Sequence, residues 1–369
     1  MAPESKVSNL KRRVGRLATE LKSAGLGGAI IAPGPNLTYY TGVRAQLLER
    51  PFLLLVRNDG DAHLLAPKLE AGPFRRSIPI TVHAWDDTEG PSRAFKELLN
   101  EIDATTTWGC DGRVPFGFLH HLLTKGLKVE PADGVLQSIR EVKEEDELEL
   151  IRKSAAILSK TILKVPGFLR EGMSEKELAR LIVDDELAGG ADEADPLVQS
   201  GVRAADPHSQ ASAKKIGRGE SVVVDVVSYY AGYAADITRT FALGRDGAVE
   251  KTYQSVLSAQ VKAIDAAKVG VATGRVDAAA RNSLKRDGLA EYFIHRTGHG
   301  LGLEVHEAPF IVPGGRERLE PGMVFTVEPG AYIPGKLGVR IEDDIAISRR
   351  GRRDVITDRV PKDFGWWRK

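Results

Sequence analysis

The sequence predicts an α/β domain over residues 1–134, followed by an α+β domain over residues 135–369. The chain has 369 residues, which is longer than a single typical domain. Its first third alternates between helical and strand-like patterns, and its second half contains two pairs of strand-like segments, each preceded by helical segments. Alternating elements favour an α/β domain, whereas segregated hairpins and helices favour an α+β domain.

Short elements with clear boundaries fill the first third of the chain. Apolar residues recur at helical spacing from Val14 to Ser23, and glycines follow this segment. Segment 29–32 is apolar, contains two isoleucines and is followed by a proline, which is typical of a buried strand. Segments 52–56 and 62–65 flank Asn58-Asp59-Gly60, and this arrangement predicts a hairpin.

Two helices begin the second domain. The acidic segment 144–149 overlaps an apolar stripe at helical spacing that passes through Leu148 and Ile151, so we expect a helix with one solvated, charged face. Ser174 and Glu177 have the spacing of a capping box, which predicts the start of a second helix.

Two pairs of strand-like segments follow. Segment 221–229 is rich in valine, and segment 233–243 mixes β-branched and aromatic residues after a short glycine-containing turn. Segments 323–333 and 338–347 repeat this arrangement around Pro334-Gly335. The sequence therefore predicts two hairpins of related architecture.

The composition argues against several classes of partner. Lys and Arg total 52 against 51 for Asp and Glu, a net charge of +1, so we expect neither nucleic acid nor an anionic membrane as the main partner. Cys110 is the single cysteine, which fits the reducing cytosol. Segment 1–10 lacks the apolar core of a signal peptide, and the longest apolar run is far short of the roughly 20 residues of a membrane helix. We therefore expect a cytoplasmic protein.

Four carboxylates lie within or next to apolar strand segments. Asp225 follows three valines, and Asp236 lies on the next strand of the same hairpin. Glu328 and Glu342 occupy the two strands of the second hairpin. An unpaired buried carboxylate is very costly, and four of them in one core would repel each other strongly. Divalent cations between the carboxylates would remove this repulsion.

Pairing with basic neighbours is the alternative account of these acids, and Arg239 and Arg340 are the candidates. Ion pairs explain many single buried acids, but the same feature on two hairpins favours metal. Asp343 and Asp344 lie beside Glu342 and compete for its role. Alternation along a strand puts Asp343 on the opposite face and Asp344 on the same face as Glu342.

One histidine has an unusual environment. His299 lies between Gly298 and Gly300, and glycines allow close approach of backbone and ligand. Together with the four acids it forms a hard, oxygen-rich set without a thiolate, which suits Mn²⁺ better than a structural zinc ion. The reaction class that this set predicts is hydrolysis assisted by two metal ions.

Four segments together resemble the pita-bread metallopeptidases, in particular the branch of Xaa-Pro dipeptidase (prolidase) and aminopeptidase P. They are 225–240 (DVVSYYAGYAADITRT), 295–309 (HRTGHGLGLEVHEAP), 327–332 (VEPGAY) and 338–344 (GVRIEDD). Segment 36–42 (NLTYYTG) is similar to the creatinase-type N-terminal domain. The resemblance implies a creatinase-like α/β domain followed by an α+β pita-bread domain.

A role for each member of the metal set is implied by this resemblance. Asp225 and Asp236 would bind the first metal ion. Asp236 and Glu342 would bridge to the second ion, and His299 and Glu328 would complete its site. Glu328 would also act as the general base. We expect two Mn²⁺ ions, with Co²⁺ or Zn²⁺ as alternatives.

The resemblance also implies a substrate-binding set of five residues: His208, His295, His306, Tyr332 and Arg340. His306 would contact the scissile peptide group and stabilise the tetrahedral intermediate, and His295 would line the proline pocket. His208 lies on the substrate side, and we count it as catalytic together with His306 and Glu328.

Arg340 has two compatible roles. Beside the metal set it can clamp a carboxylate or carbonyl group of the substrate. It can also form a salt bridge with Glu342 or Asp343.

The implied activity is cleavage of the Xaa-Pro bond at the N-terminus of short peptides. Chain length and the short turn 333–337 favour a dipeptidase, and aminopeptidase P acting on longer peptides is the alternative. Creatinase and non-catalytic proteins of this fold lack ligands that are present here, and methionine aminopeptidase normally lacks the first domain. We also expect a homodimer or larger homo-oligomer, because in this family a partner subunit often closes the pocket.

Overall fold

The computed structural model of the chain describes residues 3–368, with the side chains of residues 7–367. Met1, Ala2 and Lys369, which the predicted domain ranges include, lie outside the described residues. Contacts divide the chain into two units, Met1–Arg140 and Glu141–Lys369. None of the helices in the described part of the chain combines the length and apolar character needed to cross a lipid bilayer.

The first unit is an α/β domain on a mixed six-stranded sheet. Its elements are α1 (Pro3–Ser23), β1 (Gly28–Ile31), α2 (Pro35–Thr41), β2 (Leu53–Arg57), β3 (Ala62–Pro67), α3 (Ala71–Phe74), β4 (Thr81–Trp85), α4 (Ser92–Leu99), β5 (Thr107–Cys110), α5 (Phe116–Leu123), β6 (Lys128–Pro131) and α6 (Asp133–Glu141). The sheet order is β4-β3-β2-β1-β5-β6, with β1, β2 and β3 antiparallel and the other pairs parallel. The predicted first helix, buried strand and hairpin are confirmed.

Helix α6 extends the first unit to Arg140, beyond the boundary that the sequence predicted at residue 134. The last turn of α6 is held by the first unit. Arg140 donates to Asn36 Oδ1 at 2.8 Å, and Tyr39 Oη donates to the Ile139 carbonyl at 3.4 Å. Composition along the chain does not reveal these contacts, since the partners are far apart in sequence.

The second unit is an α+β domain. Its elements are α7 (Glu145–Phe168), α8 (Glu175–Ala188), β7 (Glu193–Ser200), β8 (Ser221–Tyr230), β9 (Tyr233–Ala242), α9 (Gly247–Ala266), α10 (Thr273–Arg286), β10 (Gly298–Gly300), β11 (Glu307–Ile311), β12 (Val324–Val327), β13 (Gly330–Ile333), β14 (Leu337–Arg340), β15 (Asp343–Ile347) and β16 (Arg353–Val355). Three antiparallel sheets result, with orders β7-β8-β9, β13-β14 and β11-β10-β12-β15-β16.

Both predicted hairpins of the second unit are present, and the second one is interrupted. Strands β8 and β9 pair along their whole length. In the second hairpin β12 pairs with β15 and β13 pairs with β14, so regular pairing stops at Glu328-Pro329 and at Ile341-Glu342. A proline cannot donate to a strand ladder, which explains the first interruption. Both acids of the second hairpin therefore lie where the strand geometry changes.

Each hairpin is supported by a pair of helices. Apolar side chains of α7 and α8, such as Ile162 and Ile182, pack with Val224 of β8 and Ile237 of β9. Helices α9 and α10 contribute to a second core with β12 to β15. This burial fixes the strands that carry the acidic residues.

The capping box predicted at the start of α8 is confirmed. Ser174 Oγ accepts the Glu177 backbone N–H at 3.2 Å, and Glu177 Oε2 accepts the Ser174 backbone N–H at 2.5 Å. These hydrogen bonds, with help from Lys215, lower the pKa of Glu177 to about 2. A lowered acid pKa stabilises the fold above the ordinary value of 4.5, and this contribution is lost as the pH falls through 2.

Replacing Ser174 by alanine removes one half of this capping box. We expect Ser174→Ala to lower the free energy of unfolding of the second unit by about 1 kcal/mol, because the first turn of α8 loses a hydrogen-bond acceptor. Urea denaturation followed by circular dichroism measures this change. Ser174→Thr keeps the hydroxyl and is the matched control, so an equal loss in both variants would contradict the capping role.

Candidate metal centre

A cavity of about 550 Å³ lies in the second unit. The complete metal set predicted from the sequence lines it: Asp225, Asp236, His299, Glu328 and Glu342. Four of the five predicted substrate-binding residues also line it: His208, His295, His306 and Arg340. The fold therefore brings together residues from both hairpins and from β10.

The first hairpin presents two carboxylates on one face. In the register of β8 and β9, Asp225 lies opposite Thr238 and Asp236 lies opposite Val227. Directly opposite residues in an antiparallel pair share a face, as do residues two positions apart on one strand. Asp225 and Asp236 are thus diagonal neighbours, and the face that they share lines the cavity.

Thr238 joins the two hairpins beside these carboxylates. Its Oγ1 donates to Glu342 Oε2 at 2.6 Å, and its carbonyl accepts the Glu342 backbone N–H at 3.1 Å. Glu328 is fixed differently, because its backbone N–H donates to the Thr297 carbonyl at 2.8 Å. Each acid of the second hairpin is therefore positioned by a residue outside that hairpin.

Crowded backbone explains the glycines beside His299. A Cβ atom on Gly298 would lie 2.0 Å from the Thr326 carbonyl oxygen, and one on Gly300 would lie 2.0 Å from the Ala308 carbonyl oxygen. Close approach was predicted at these glycines, and the structure shows that the adjacent backbone on each side requires it. Only glycine lets β10 lie between its neighbours at these two positions.

The orientation of His299 suits a metal ligand. Its Nδ1 lies 3.2 Å from the Gly300 carbonyl oxygen, so a proton on Nδ1 satisfies that oxygen. Its Nε2 lies 3.2 Å from Glu328 Oε1. A backbone hydrogen bond to one ring nitrogen is the usual way in which proteins orient a metal-binding imidazole.

The donor atoms fit a divalent cation. Asp236, His299 and Glu342 each offer one donor atom, and these atoms lie within 4.8 Å of one another. Among the described residues, no group donates a hydrogen bond to Asp225 Oδ1, Asp236 Oδ1 or Glu342 Oε1, although all three oxygens are buried. Leaving a buried carboxylate oxygen unsatisfied is costly, and a metal ion satisfies it. The second unit therefore contains a group of donor atoms that could hold a divalent metal ion.

The acids of this site differ in the direction in which their pKa values are shifted. Burial, with the negative charges of Glu342 and Asp225, raises the pKa of Asp236 well above its ordinary value. Burial and the charge of Glu328 raise the pKa of Glu342 in the same way. Burial also acts to raise the pKa of Glu328, but the hydrogen bond and charge of His299 outweigh it and bring this pKa to about 2. A bound cation would relieve the repulsion at Asp236 and Glu342.

Arginine pairing accounts for only part of the acidic charge. Arg340 Nη2 lies 2.5 Å from Asp225 Oδ2, so its partner is Asp225 rather than Glu342 or Asp343 as the sequence suggested. Arg239 Nη2 pairs with Asp343 Oδ1 at 2.8 Å. Within the described part of the chain, neither Asp236 nor Glu342 forms a salt bridge. The ion-pair alternative therefore does not explain the whole set.

The two aspartates beside Glu342 have separate roles. Asp343 points away from the cavity, where Gln260 and Lys362 donate to its Oδ2 at 2.7 Å and 2.8 Å. Asp344 Oδ2 accepts the backbone N–H of Asp236 at 3.0 Å. Strand alternation predicted this separation, and Asp344 supports the backbone of a residue in the metal set.

Tyr332 lies behind the cavity wall. Its side chain is 2% exposed and does not line the cavity. Its Oη accepts a hydrogen bond from Arg340 Nη1 at 2.7 Å and lies 2.8 Å from His295 Nε2. Tyr332 therefore orients two cavity residues, and direct contact between Tyr332 and a substrate stays a prediction.

Sequence reasoning missed several cavity-lining residues, including Asp195, Leu197, Gln210, Arg296 and Val305. Arg296 and Val305 lie inside segment 295–309, beside the predicted histidines His295 and His306. These positions could have identified both residues as neighbours of the site. Asp195 and Leu197 come from β7, where no local pattern indicated a site.

Comparison with known proteins gives a consistent result. The model of metallopeptidase family M24 matches residues 149–349, and that of the creatinase/prolidase N-terminal domain matches residues 13–142. A probable dipeptidase PepE from Mycobacterium tuberculosis is 39% identical, with 93% of each chain covered. An Xaa-Pro dipeptidase from Pyrococcus horikoshii is 33% identical, covering 93% of this chain and 96% of that protein. The crystal structure of a prolidase from Thermococcus sibiricus superposes with a TM-score of 0.88 at 36% identity, covering 94% of this chain and 96% of that one.

Neutralising Asp236 of the first hairpin and, separately, Asp343 of the second hairpin tests the charge balance. We expect Asp236→Asn to raise the thermal midpoint of the metal-free protein, because it removes repulsion, and to abolish the further stabilisation by added Mn²⁺. The matched control, Asp343→Asn, leaves Arg239 without its buried partner and should cost about 3 kcal/mol or more. Differential scanning fluorimetry in EDTA and in Mn²⁺ measures both effects. A lower metal-free midpoint for Asp236→Asn would contradict the proposed repulsion.

Proposed function

Because the chain belongs to metallopeptidase family M24 and carries a creatinase/prolidase N-terminal domain, we propose that it is an Xaa-Pro dipeptidase. The observation that carries this proposal is the cavity in which buried, unsatisfied carboxylate oxygens face a histidine. Relatives at 33% and 36% identity bear the names Xaa-Pro dipeptidase and prolidase, and both cover most of this chain. The substrate that we propose is a dipeptide with proline in the second position.

We propose that two divalent ions, Mn²⁺ in preference to Co²⁺ or Zn²⁺, act in this site. Asp225 and Asp236 would hold the first ion. His299 and Glu328 would hold the second, with Asp236 and Glu342 shared between both. The absence of a thiolate and the predominance of carboxylates support Mn²⁺. Bound divalent ions polarise a peptide carbonyl and make water more acidic.

Glu328 is the proposed general base. Thr326 Oγ1 donates to Glu328 Oε1 at 3.2 Å, and His299 Nε2 lies 3.2 Å from the same oxygen. The Thr326 hydrogen bond orients the Glu328 carboxylate on the wall of the cavity. This carboxylate can then accept a proton from the attacking water.

His306 is the proposed electrophilic partner of the scissile carbonyl. Burial and the neighbouring His299 lower the pKa of His306 to about 4, so the imidazole is neutral at neutral pH. A neutral imidazole can donate one hydrogen bond to the oxygen on which negative charge develops. His208 lines the same cavity, and we assign it to the substrate side.

The proline pocket is the role that we propose for His295 and Arg340. His295 packs edge-on against Phe293, with 5.1 Å between ring centroids, and Tyr332 fixes its Nε2. This arrangement presents a rigid ring beside which a pyrrolidine ring can pack. Arg340 supplies a guanidinium group for a carboxylate or carbonyl of the substrate.

Aminopeptidase P activity on longer peptides is the alternative. It needs the same centre but an open far side of the pocket, and the dipeptidase names of the relatives favour the shorter substrate. A non-catalytic protein of the same fold is disfavoured, because all five ligand residues line one cavity.

We further infer a cytoplasmic homodimer or larger homo-oligomer. Burial raises the pKa of the Cys110 thiol to about 12, so the thiol is unreactive and compatible with a reducing compartment. Large apolar side chains such as Leu48, Leu69 and Phe116 are exposed, and we infer that a second copy covers some of this apolar surface. The molecular mass in solution, measured by light scattering, decides the oligomeric state, and a monomer would refute this inference.

Chelation tests the role of the metal. We expect EDTA to abolish hydrolysis of Ala-Pro and added Mn²⁺ to restore it, because without the ions nothing polarises the peptide carbonyl or makes the attacking water more acidic. Elemental analysis of the purified protein identifies the bound ion. Activity that survives complete removal of metal would sink the two-metal mechanism.

A substrate panel tests the length and the second position. We expect turnover of Ala-Pro to exceed that of Ala-Pro-Ala and of Ala-Ala, and chromatography of the released products measures all three. Good turnover of Ala-Pro-Ala would support the aminopeptidase alternative. Equal turnover of Ala-Ala would refute proline specificity and leave a general dipeptidase.

A further inference from the structure

We propose that Lys143 is a positioning residue for the reaction, since it binds Glu307 in the protein interior and so fixes segment 301–307, which carries His306. No sequence motif pointed to Lys143. The inference rests on the proposed function, in which His306 contacts the scissile peptide group.

The ion pair between Lys143 and Glu307 is completely enclosed. Lys143 Nζ lies 2.7 Å from Glu307 Oε1, and the two side chains are 1% and 4% exposed. A buried pair of this kind loses much solvation, so it is poor evidence for stability by itself. The role that we assign to the ion pair is therefore to fix geometry rather than to add stability.

Hydrogen bonds to both backbone polar groups of Lys143 fix its position. Its N–H donates to the Gly322 carbonyl at 2.8 Å, and its carbonyl accepts from Arg349 Nη2 at 2.6 Å. Lys143 Nζ also donates to the carbonyl of Glu141 at 3.2 Å. The ammonium group is therefore held in place, and it binds Glu307, the first residue of β11.

Hydrogen bonds within segment 301–307 connect Glu307, Glu304 and Gly302. Its Oε2 accepts the Glu304 backbone N–H at 3.4 Å, and the Glu304 carbonyl accepts the Gly302 N–H at 2.9 Å. The Gly302 carbonyl in turn accepts the N–H of Ala234 on β9 at 2.7 Å. One chain of contacts thus runs from Lys143 to the strand that carries the metal-set residue Asp236.

The ion pair packs directly against Gly302 in this segment. A Cβ atom on Gly302 would lie 2.6 Å from Glu307 Oε1 and 3.1 Å from Lys143 Cε, so the ion pair rests directly on the Gly302 backbone. A larger residue at position 302 would displace the ion pair.

His306 depends on this support. Among the described residues, no side chain or backbone group forms a hydrogen bond with its imidazole, which is exposed to the cavity. Its ring meets the His299 ring edge-on at 4.3 Å between centroids. Because Glu307 is the next residue in the chain, the Lys143–Glu307 pair fixes the backbone from which the imidazole projects.

Three variants test the inference. In Lys143→Met the charge is lost with little change in volume, and Lys143→Met/Glu307→Gln also removes the negative charge that Lys143 binds. Lys164→Met is the matched control, because it removes a lysine from a salt bridge with Asp185, also at 2.7 Å, whose lysine is 55% exposed. Ala-Pro turnover, metal content and thermal midpoint are measured for each.

We expect kcat of Lys143→Met to fall roughly 10- to 100-fold, the loss expected when a catalytic group is misplaced by about 1 Å. KM and metal content should change less than about 3-fold, since the ligand residues keep their positions. The double variant should regain thermal stability, because the buried negative charge is removed together with the positive one, but it should not regain kcat. Lys164→Met should match the wild type. Recovery of wild-type kcat in the double variant would overturn the inference, and this variant carries the test if Lys143→Met does not fold.

Hydrogen exchange separates this inference from the proposed function. We expect amides of segment 301–307 to exchange faster in the double variant than in the wild type, whether or not the protein cleaves Ala-Pro. An inactive wild type would refute the proposed function only. Unchanged exchange in segment 301–307 would refute the positioning role even in an active enzyme.

Discussion

Concentrated negative charge in a buried cavity is the constraint on which the second unit depends. Asp225 and Asp236 come from one hairpin, and Glu328 and Glu342 come from strand interruptions in the other. Thr238 keeps the hairpins together, since it donates to Glu342 and accepts from Arg340 Nε at 3.0 Å. The apolar helix pairs behind both hairpins supply the burial that holds these charges in place.

The protein satisfies part of this charge itself and leaves the remainder for a cation. Arg340 pairs with Asp225, and Arg239 pairs with Asp343 on the opposite strand face. The backbone N–H of Asp236 donates to the Asp344 carboxylate, yet among the described residues nothing satisfies Oδ1 of the Asp236 carboxylate. Three unsatisfied carboxylate oxygens on the wall of one cavity, beside His299, favour a metal centre over a network of structural ion pairs.

The side chains that we propose to be catalytic or substrate-binding are positioned by residues that do not line the cavity. Tyr332 fixes His295 and Arg340 from behind, and in our proposal Lys143 fixes His306 through the next residue in the chain. Such support matters because hydrogen-bond donors stabilise a transition state only when they are already oriented. In our proposal, therefore, residues beyond those that touch the peptide also affect the reaction.

The sequence by itself determined the features that local patterns encode. Apolar periodicity predicted α1 and the hairpins, carboxylates in apolar strands predicted a metal set, and glycines beside His299 indicated crowded backbone. Only the tertiary structure decided which oxygens are unsatisfied, that Asp225 is the partner of Arg340, that α6 belongs to the first unit up to Arg140, and that Lys143 binds Glu307. The physical reason is that periodicity reports which face of an element is buried, whereas pairing depends on distances between residues far apart in the chain, which exist only after the hairpins and helices have packed.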